Sequence, residues 1–112
     1  MSSSLSAGAT AAIPPKNPII ASANVSGGVA VTLYTVPAGR TFYCTQVTAG
    51  CSNTGWLQIL IEATQIYYFD MVEAQVVTIN GDVLFAMNAG EDLNIDDTGG
   101  SGHTVTVSGF IL

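Results

Sequence analysis

The sequence predicts an all-β protein, a single antiparallel β-sandwich of jelly-roll type behind an extended N-terminal arm. Three observations carry this. Apolar residues recur with a period of two along most of the chain, and no window of helical length keeps a 3.6-residue period. About eight such runs follow one another between turn-forming residues, and nothing between the glycines is long enough for a crossover helix. One pattern also occurs twice, from Thr32 to Thr45 and from Val83 to Asp96: an alternating run, a turn built on Ala-Gly, and a second alternating run. Two related halves suit two Greek keys, which is how a jelly roll is built. An immunoglobulin-type sandwich is the runner-up. Against it, Cys44 and Cys51 are too close in sequence to bridge two sheets around a central tryptophan.

Residues 1–17 are small, polar and then proline-bearing, and they form the arm; residues 18–112 form the sandwich domain. Pro14 and Pro15 bias the arm toward an extended path, although an unstructured terminus is the plainer expectation. The first strand, around Ile19 and Ile20, ends at Gly27-Gly28, and Val29, Val31 and Leu33 then alternate with Ala30, Thr32 and Tyr34. Pro37 and Gly39 turn the chain, one by its fixed φ and the other by admitting positive φ. After the β-branched run 41–48 and a loop at 50–55, Leu57, Ile59 and Ile61 occupy one face, with Trp56, Gln58, Leu60 and Glu62 opposite. The stretch 64–71 is apolar on both faces. Asn80-Gly81 is a strong hairpin signal. Val83, Phe85 and Met87 lead into Asn88-Ala89-Gly90, Leu93 and Ile95 alternate with acids, and Val105, Val107 and Ile111 close the chain. The expected core is Val31, Leu33, Leu57, Ile59, Ile61, Val83, Phe85, Leu93, Ile95, Val105 and Val107.

Composition narrows the function. Apolar residues make up 48% of the chain and charged ones 9%, against roughly 25% charged in ordinary domains. A Ser/Thr/Asn/Gly surface with so little charge resists association poorly, so subunit contacts are expected; a monomer with a Thr-rich exterior is the alternative. Tyr34, Tyr43, Leu60 and Phe110, read as lying opposite the core faces, are the expected contact residues. Net charge is −6 with only two basic residues, which disfavours nucleic acid. Uncharged runs fall short of the ~18 apolar residues of a membrane span, and the opening residues lack the basic and apolar regions of a secretory signal. Cys44 and Cys51 read as reduced, buried residues rather than a disulfide.

Equipment for chemistry is sparse. His103 is the single histidine, so a metal held by several imidazoles is excluded within one chain, and its place after Gly102 reads as solvent-facing. No serine lies in a Gly-x-Ser-x-Gly context. Asp92-x-Asn94-x-Asp96 resembles the opening of a Ca²⁺ loop, but Asp97 and His103 stand where that loop needs Gly and a bidentate Glu. Asp92, Asp96 and Asp97 therefore read as the wet face of a strand, with a Ca²⁺ site as the alternative. Glu62 with Asp70, or Asp70 with Glu73, are carboxylate pairs of the kind glycosidases use, and Trp56, Tyr67, Tyr68 and Phe69 are candidates for a sugar platform or for core. The expectation is no catalysis and no metal or organic cofactor.

The runs from Leu33 to Phe42, Asn88-Ala89-Gly90-Glu91, and Val105 to Phe110 resemble small jelly-roll virion proteins of tailed bacteriophages. In those, a strand ending Tyr-x-Val-Pro-Ala-Gly-Lys/Arg, an Ala-Gly-Glu corner and a Val-x-Gly-Phe/Tyr finish recur. The resemblance covers residues 33–112 and leaves the arm unmatched. It implies a capsid decoration (cement) subunit or a tail-fibre head module recognising a host glycan, commonly trimeric and without catalytic residues. With one domain and an arm, the decoration subunit is the favoured reading. It would be made in the host cytoplasm and bound to the major capsid protein at the virion surface. Ile13, Pro14 and Pro15 of the arm are then expected to clamp a neighbour or the capsid floor.

Overall fold

The computed structural model describes residues 17–99 and 102–112, which hold eight strands and no helix. In chain order these are β1 (Asn17–Val25), β2 (Val31–Thr35), β3 (Phe42–Cys51), β4 (Gly55–Ile61), β5 (Thr64–Met71), β6 (Val76–Met87), β7 (Asp92–Asp97) and β8 (His103–Ile111). They form two four-stranded sheets, ordered β1-β8-β3-β6 (sheet one) and β2-β7-β4-β5 (sheet two). Every pairing is antiparallel. Consecutive strands change sheets at each connection except the β4–β5 and never otherwise pair, which is the jelly-roll winding. The expected fold is the observed one.

The repeated Ala-Gly pattern has a definite job. Both corners cross from one sheet to the other rather than closing hairpins: one leads from β2 to β3, the other from β6 to β7. In each, a four-residue turn is closed by a backbone bond, Arg40 N–H to the Pro37 carbonyl and Glu91 N–H to that of Asn88. Gly39 and Gly90 sit third in their turns with φ of 74° and 83°, a conformation that β-carbons disfavour. The corners lie side by side, since Val36 donates to the Glu91 carbonyl at 3.1 Å and Gly90 to that of Val36 at 2.9 Å.

Alternation fills the space between the sheets. Leu57, Ile59, Leu93, Ile95, Val105 and Val107 are all fully buried, as expected, and Leu33 is nearly so. Val31, Ile61 and Phe85 are half-buried against this cluster. Phe42, Val25, Val36, Val47, Met71 and Met87 complete the core.

Four expectations about the strands are corrected. Val83 is 49% exposed and not in the core. The cause is the second correction: Asn80-Gly81 does not turn a hairpin but opens a bulge within β6. Asn80 pairs with Gln46 and Phe85 with Cys44, so residues 81–84 are pushed out of the ladder. Third, Tyr34 does not lie opposite the core. A register shift after Thr32 sets Tyr34 across from inward-facing Leu93, and its ring packs 5.0 Å from that of Phe42. The strand at the arm's end also begins at Asn17, paired with Ile111, one residue earlier than expected.

Phe42→Ala should cost about 3–5 kcal/mol, because it removes a fully buried ring that the corner cannot collapse to fill. Val83→Ala should change stability by less than about 0.5 kcal/mol, as at ordinary surface sites. Urea unfolding of both variants checks the contrast.

Candidate functional site

The expectation that His103 and Asp97 face solvent is overturned. His103 is 2% exposed and Asp97 1%. Asp97 continues the inward parity of Leu93 and Ile95 along β7, and His103 that of Val105 and Val107 along β8. Their side chains meet at 3.2 Å, His103 Nδ1 to Asp97 Oδ2, an approach at which Nδ1–H donates to the carboxylate. Gly28 N–H donates to Oδ1 and Gly102 N–H to Oδ2, each at 3.3 Å. One carboxylate thus ties the β1–β2 loop and the start of β8 to the end of β7. Both side chains are inaccessible, and the pair staples the loops together.

The cysteines are equally withdrawn. Both are free thiols and buried. Cys44 Sγ donates to the Gln46 carbonyl at 3.4 Å, and burial pushes its pKa up to about 11 against the opposing pull of backbone bonds at Gln46 and Ser108. A thiol held neutral is a poor nucleophile.

The carboxylates of Glu62 and Asp70 do not converge. Asp70 pairs across from Trp56, while Glu62 is at the far end of the β4–β5 hairpin, six residues on, which at ~3.3 Å per residue is about 20 Å. Glycosidase pairs are ~5–9.5 Å apart. Glu62 instead accepts from Asp92 N–H at 2.6 Å. Asp92 accepts from the Thr35 hydroxyl at 2.6 Å on the outside of sheet two, whereas Asp97 points inward, so the acids 92, 96 and 97 do not surround one point. Among the described residues no three His, Cys, Asp or Glu side chains are grouped to hold a metal. The aromatic candidates split as well. Tyr67 and Phe69 stack at 6.0 Å against the core, while Trp56 and Tyr68 stack at 6.1 Å on the outer face of sheet two. Tyr68 donates to Asp70 there, beside a shallow groove of about 380 Å³ lined by Trp56, Asp70 and Val72.

What remains accessible is two sheet faces of opposite character. Sheet two shows Asp70, Asp92 and Asp96 among Trp56, Gln58, Leu60 and Tyr68. Sheet one shows no charge at any outward registered position. Its hydroxyls and amides pair across strands: Ser22 with Thr106 at 2.9 Å, Thr48 with Thr78 at 3.4 Å, Gln46 with Asn80 at 2.6 Å, and Thr104 with Asn24 at 2.7 Å. At one end Tyr43 and Phe110 stack at 5.2 Å.

The candidate contact residues are therefore divided. Tyr43 and Phe110 come together on sheet one, Leu60 is on sheet two, and Tyr34 is inside, its buried hydroxyl without a hydrogen-bond partner among the described residues. Ile13, Pro14 and Pro15 lie outside the described residues. Sequence reading missed Ile20, which is 77% exposed on the same face as Phe110; the parity of β1, which turns Ala21, Ala23 and Val25 inward, marks it as outward.

No protein-family model matches the chain, and no curated protein does. Among solved structures, it is similar to a chain of the cyanophage Pam1 capsid asymmetric unit, with a TM-score of 0.56 and 14% sequence identity. The likeness spans 97% of this chain and 96% of that one, so the two chains are of nearly equal length.

Asp97→Ala should cost about 3–5 kcal/mol, because it leaves the buried His103 without this partner and takes the acceptor from two part-buried backbone N–H groups. Asp97→Asn, which keeps an acceptor oxygen, should cost less, and amide exchange should rise first at Gly28 and Gly102. For Cys44 the raised pKa means that the fold favours the neutral thiol. Its contribution to stability is whole below about pH 9, where the unfolded thiol is also protonated, and falls as pH climbs toward 11. The gap in urea midpoint between the native chain and Cys44→Ala should accordingly narrow over that window.

Proposed function

We propose that this chain is a structural virion protein, a capsid decoration (cement) subunit that binds the assembled phage capsid, acts as a homotrimer and performs no catalysis. The observation that carries the reading is the end-to-end likeness to a chain of equal size within a capsid asymmetric unit. The site chemistry agrees with it: the polar pair most like catalytic machinery is sealed, Glu62 and Asp70 stand far apart, and two broad sheet faces suited to protein contact are accessible. A tail-fibre head module is the second reading, favoured by the exposed Trp56–Tyr68 stack with Asp70 beside its groove.

A cement subunit works by linkage. It binds a surface that exists only in the assembled shell, so each bound copy stabilises the shell over its separated subunits by mass action. The arm, with Ile13 and the stiff Pro14-Pro15 pair, extends that grip, since a pre-extended peptide loses little entropy on docking.

Purified protein added to particles lacking it should occupy repeated lattice positions in electron micrographs and raise the temperature at which the shell releases DNA. Deleting residues 1–16 should leave the melting of the sandwich nearly unchanged while weakening attachment. Density at the tail tip instead of the shell would overturn the cement role in favour of the fibre module.

A further inference from the structure

We propose that the outer face of sheet one is the surface on which copies of this chain meet, the β1–β8 half of one copy covering the β3–β6 half of the next. The inference rests on the reading of the chain as an associating subunit, and goes beyond it by assigning the contact face.

Charge placement comes first. The chain carries a net charge of −6, so two copies repel unless they meet where carboxylates are absent. None of its eight acids stands at an outward registered position of sheet one. Asp70, Asp92 and Asp96 are on sheet two, Glu62, Glu73 and Glu91 in connections, Asp82 in the edge bulge of β6, and Asp97 is buried. Sheet one is the one sheet face on which copies meet without juxtaposing like charges.

Desolvation points the same way. The polar side chains of this face already bond one another across the strands, so covering them strands few donors or acceptors. Ile20 and the stacked Tyr43 and Phe110 give one end an apolar anchor. Four strands ~4.8 Å apart and about 30 Å long present on the order of 570 Å² in projection, so each half-to-half contact spans roughly 290 Å², well under the ~800 Å² per partner of a standard interface, and a copy is covered over the whole face only when both halves are engaged. Because the two halves of the face differ, half-to-half contact is heterologous, and the trimer proposed above requires the rotation from one copy to the next to close the ring.

Thr48→Glu with Thr106→Glu puts one carboxylate on each half, on the adjacent central strands β3 and β8, and Gln58→Glu puts one on sheet two. Light scattering at micromolar concentration should report several subunits for the native chain and for Gln58→Glu, but a single 11.5 kDa species for the double variant, with cooperative melting retained. A second measurement does not depend on that variant folding. Thr106→Cys should react with a maleimide about tenfold more slowly than Gln58→Cys while copies are associated, and the rates should converge on dilution. Equal labelling in a persisting oligomer, or a double variant that stays associated, overturns the face. So does a double variant that stays associated but no longer attaches to particles, which would make sheet one the capsid-binding surface. A native chain that is monomeric at every concentration also overturns it, yet leaves the decoration role standing if the monomer still binds shells.

Discussion

The structure hangs on the two Ala-Gly corners being hydrogen-bonded to each other. β2 pairs with β7 in sheet two, β3 pairs with β6 in sheet one, and the corners carry both members of that ribbon across the gap together. Once the bonds between Val36 and residues 90 and 91 are made, neither strand can change sheets without the other. β8 then lies against β3 and β4 against β7, which leaves β6 and β2 as rims of their sheets. The glycine of each corner matters more than its exposed place suggests, for positive φ at residues 39 and 90 sets the direction in which the ribbon leaves. A comparable constraint acts at Gly109, where Thr45 bulges from β3. A β-carbon there would run into the Tyr43 carbonyl oxygen, so the closest approach of β8 to β3 requires glycine.

With the ribbon fixed, parity decides the rest, and parity is what a sequence displays. Leu57, Ile59, Leu93, Ile95, Val105 and Val107 were legible because each strand keeps its period from end to end. The same rule, carried two residues further, places Asp97 and His103 inside. They were misread because a charged residue beside glycines looks like surface, whereas a buried carboxylate that accepts two backbone donors and an imidazole is satisfied. Where the period breaks, the sequence is silent. Nothing in Gly81-Asp82-Val83-Leu84 distinguishes a hairpin turn from a bulge in one long strand, since both use residues that tolerate unusual backbone. The shift that swings Tyr34 inward likewise depends on its partner Leu93, which is far off in the chain.

The contact surfaces were less legible still. Tyr43 and Phe110 are separated by most of the sandwich in sequence, and their stacking follows from the β3–β8 register, not from any local pattern. The absence of charge on one face is also a property of assembled strands. Each strand alone shows only a few Ser, Thr or Asn, and the neutral surface exists only when β1, β8, β3 and β6 are laid side by side.

Edges complete the argument for association by faces. An open sheet invites strand addition at its rim, which leads to unlimited growth rather than a closed assembly. In sheet one both rims are spoiled. β1 carries Pro18, which lacks an N–H to offer, and β6 carries the four-residue bulge with Asp82 exposed upon it. Growth along the hydrogen-bonding direction is thereby resisted, while the flat neutral face between those rims is left open. The acids are concentrated on sheet two and the connections, so one broad surface is left without carboxylates while the others carry them. Under the proposed association by sheet one, that distribution sets both the attraction and its limit.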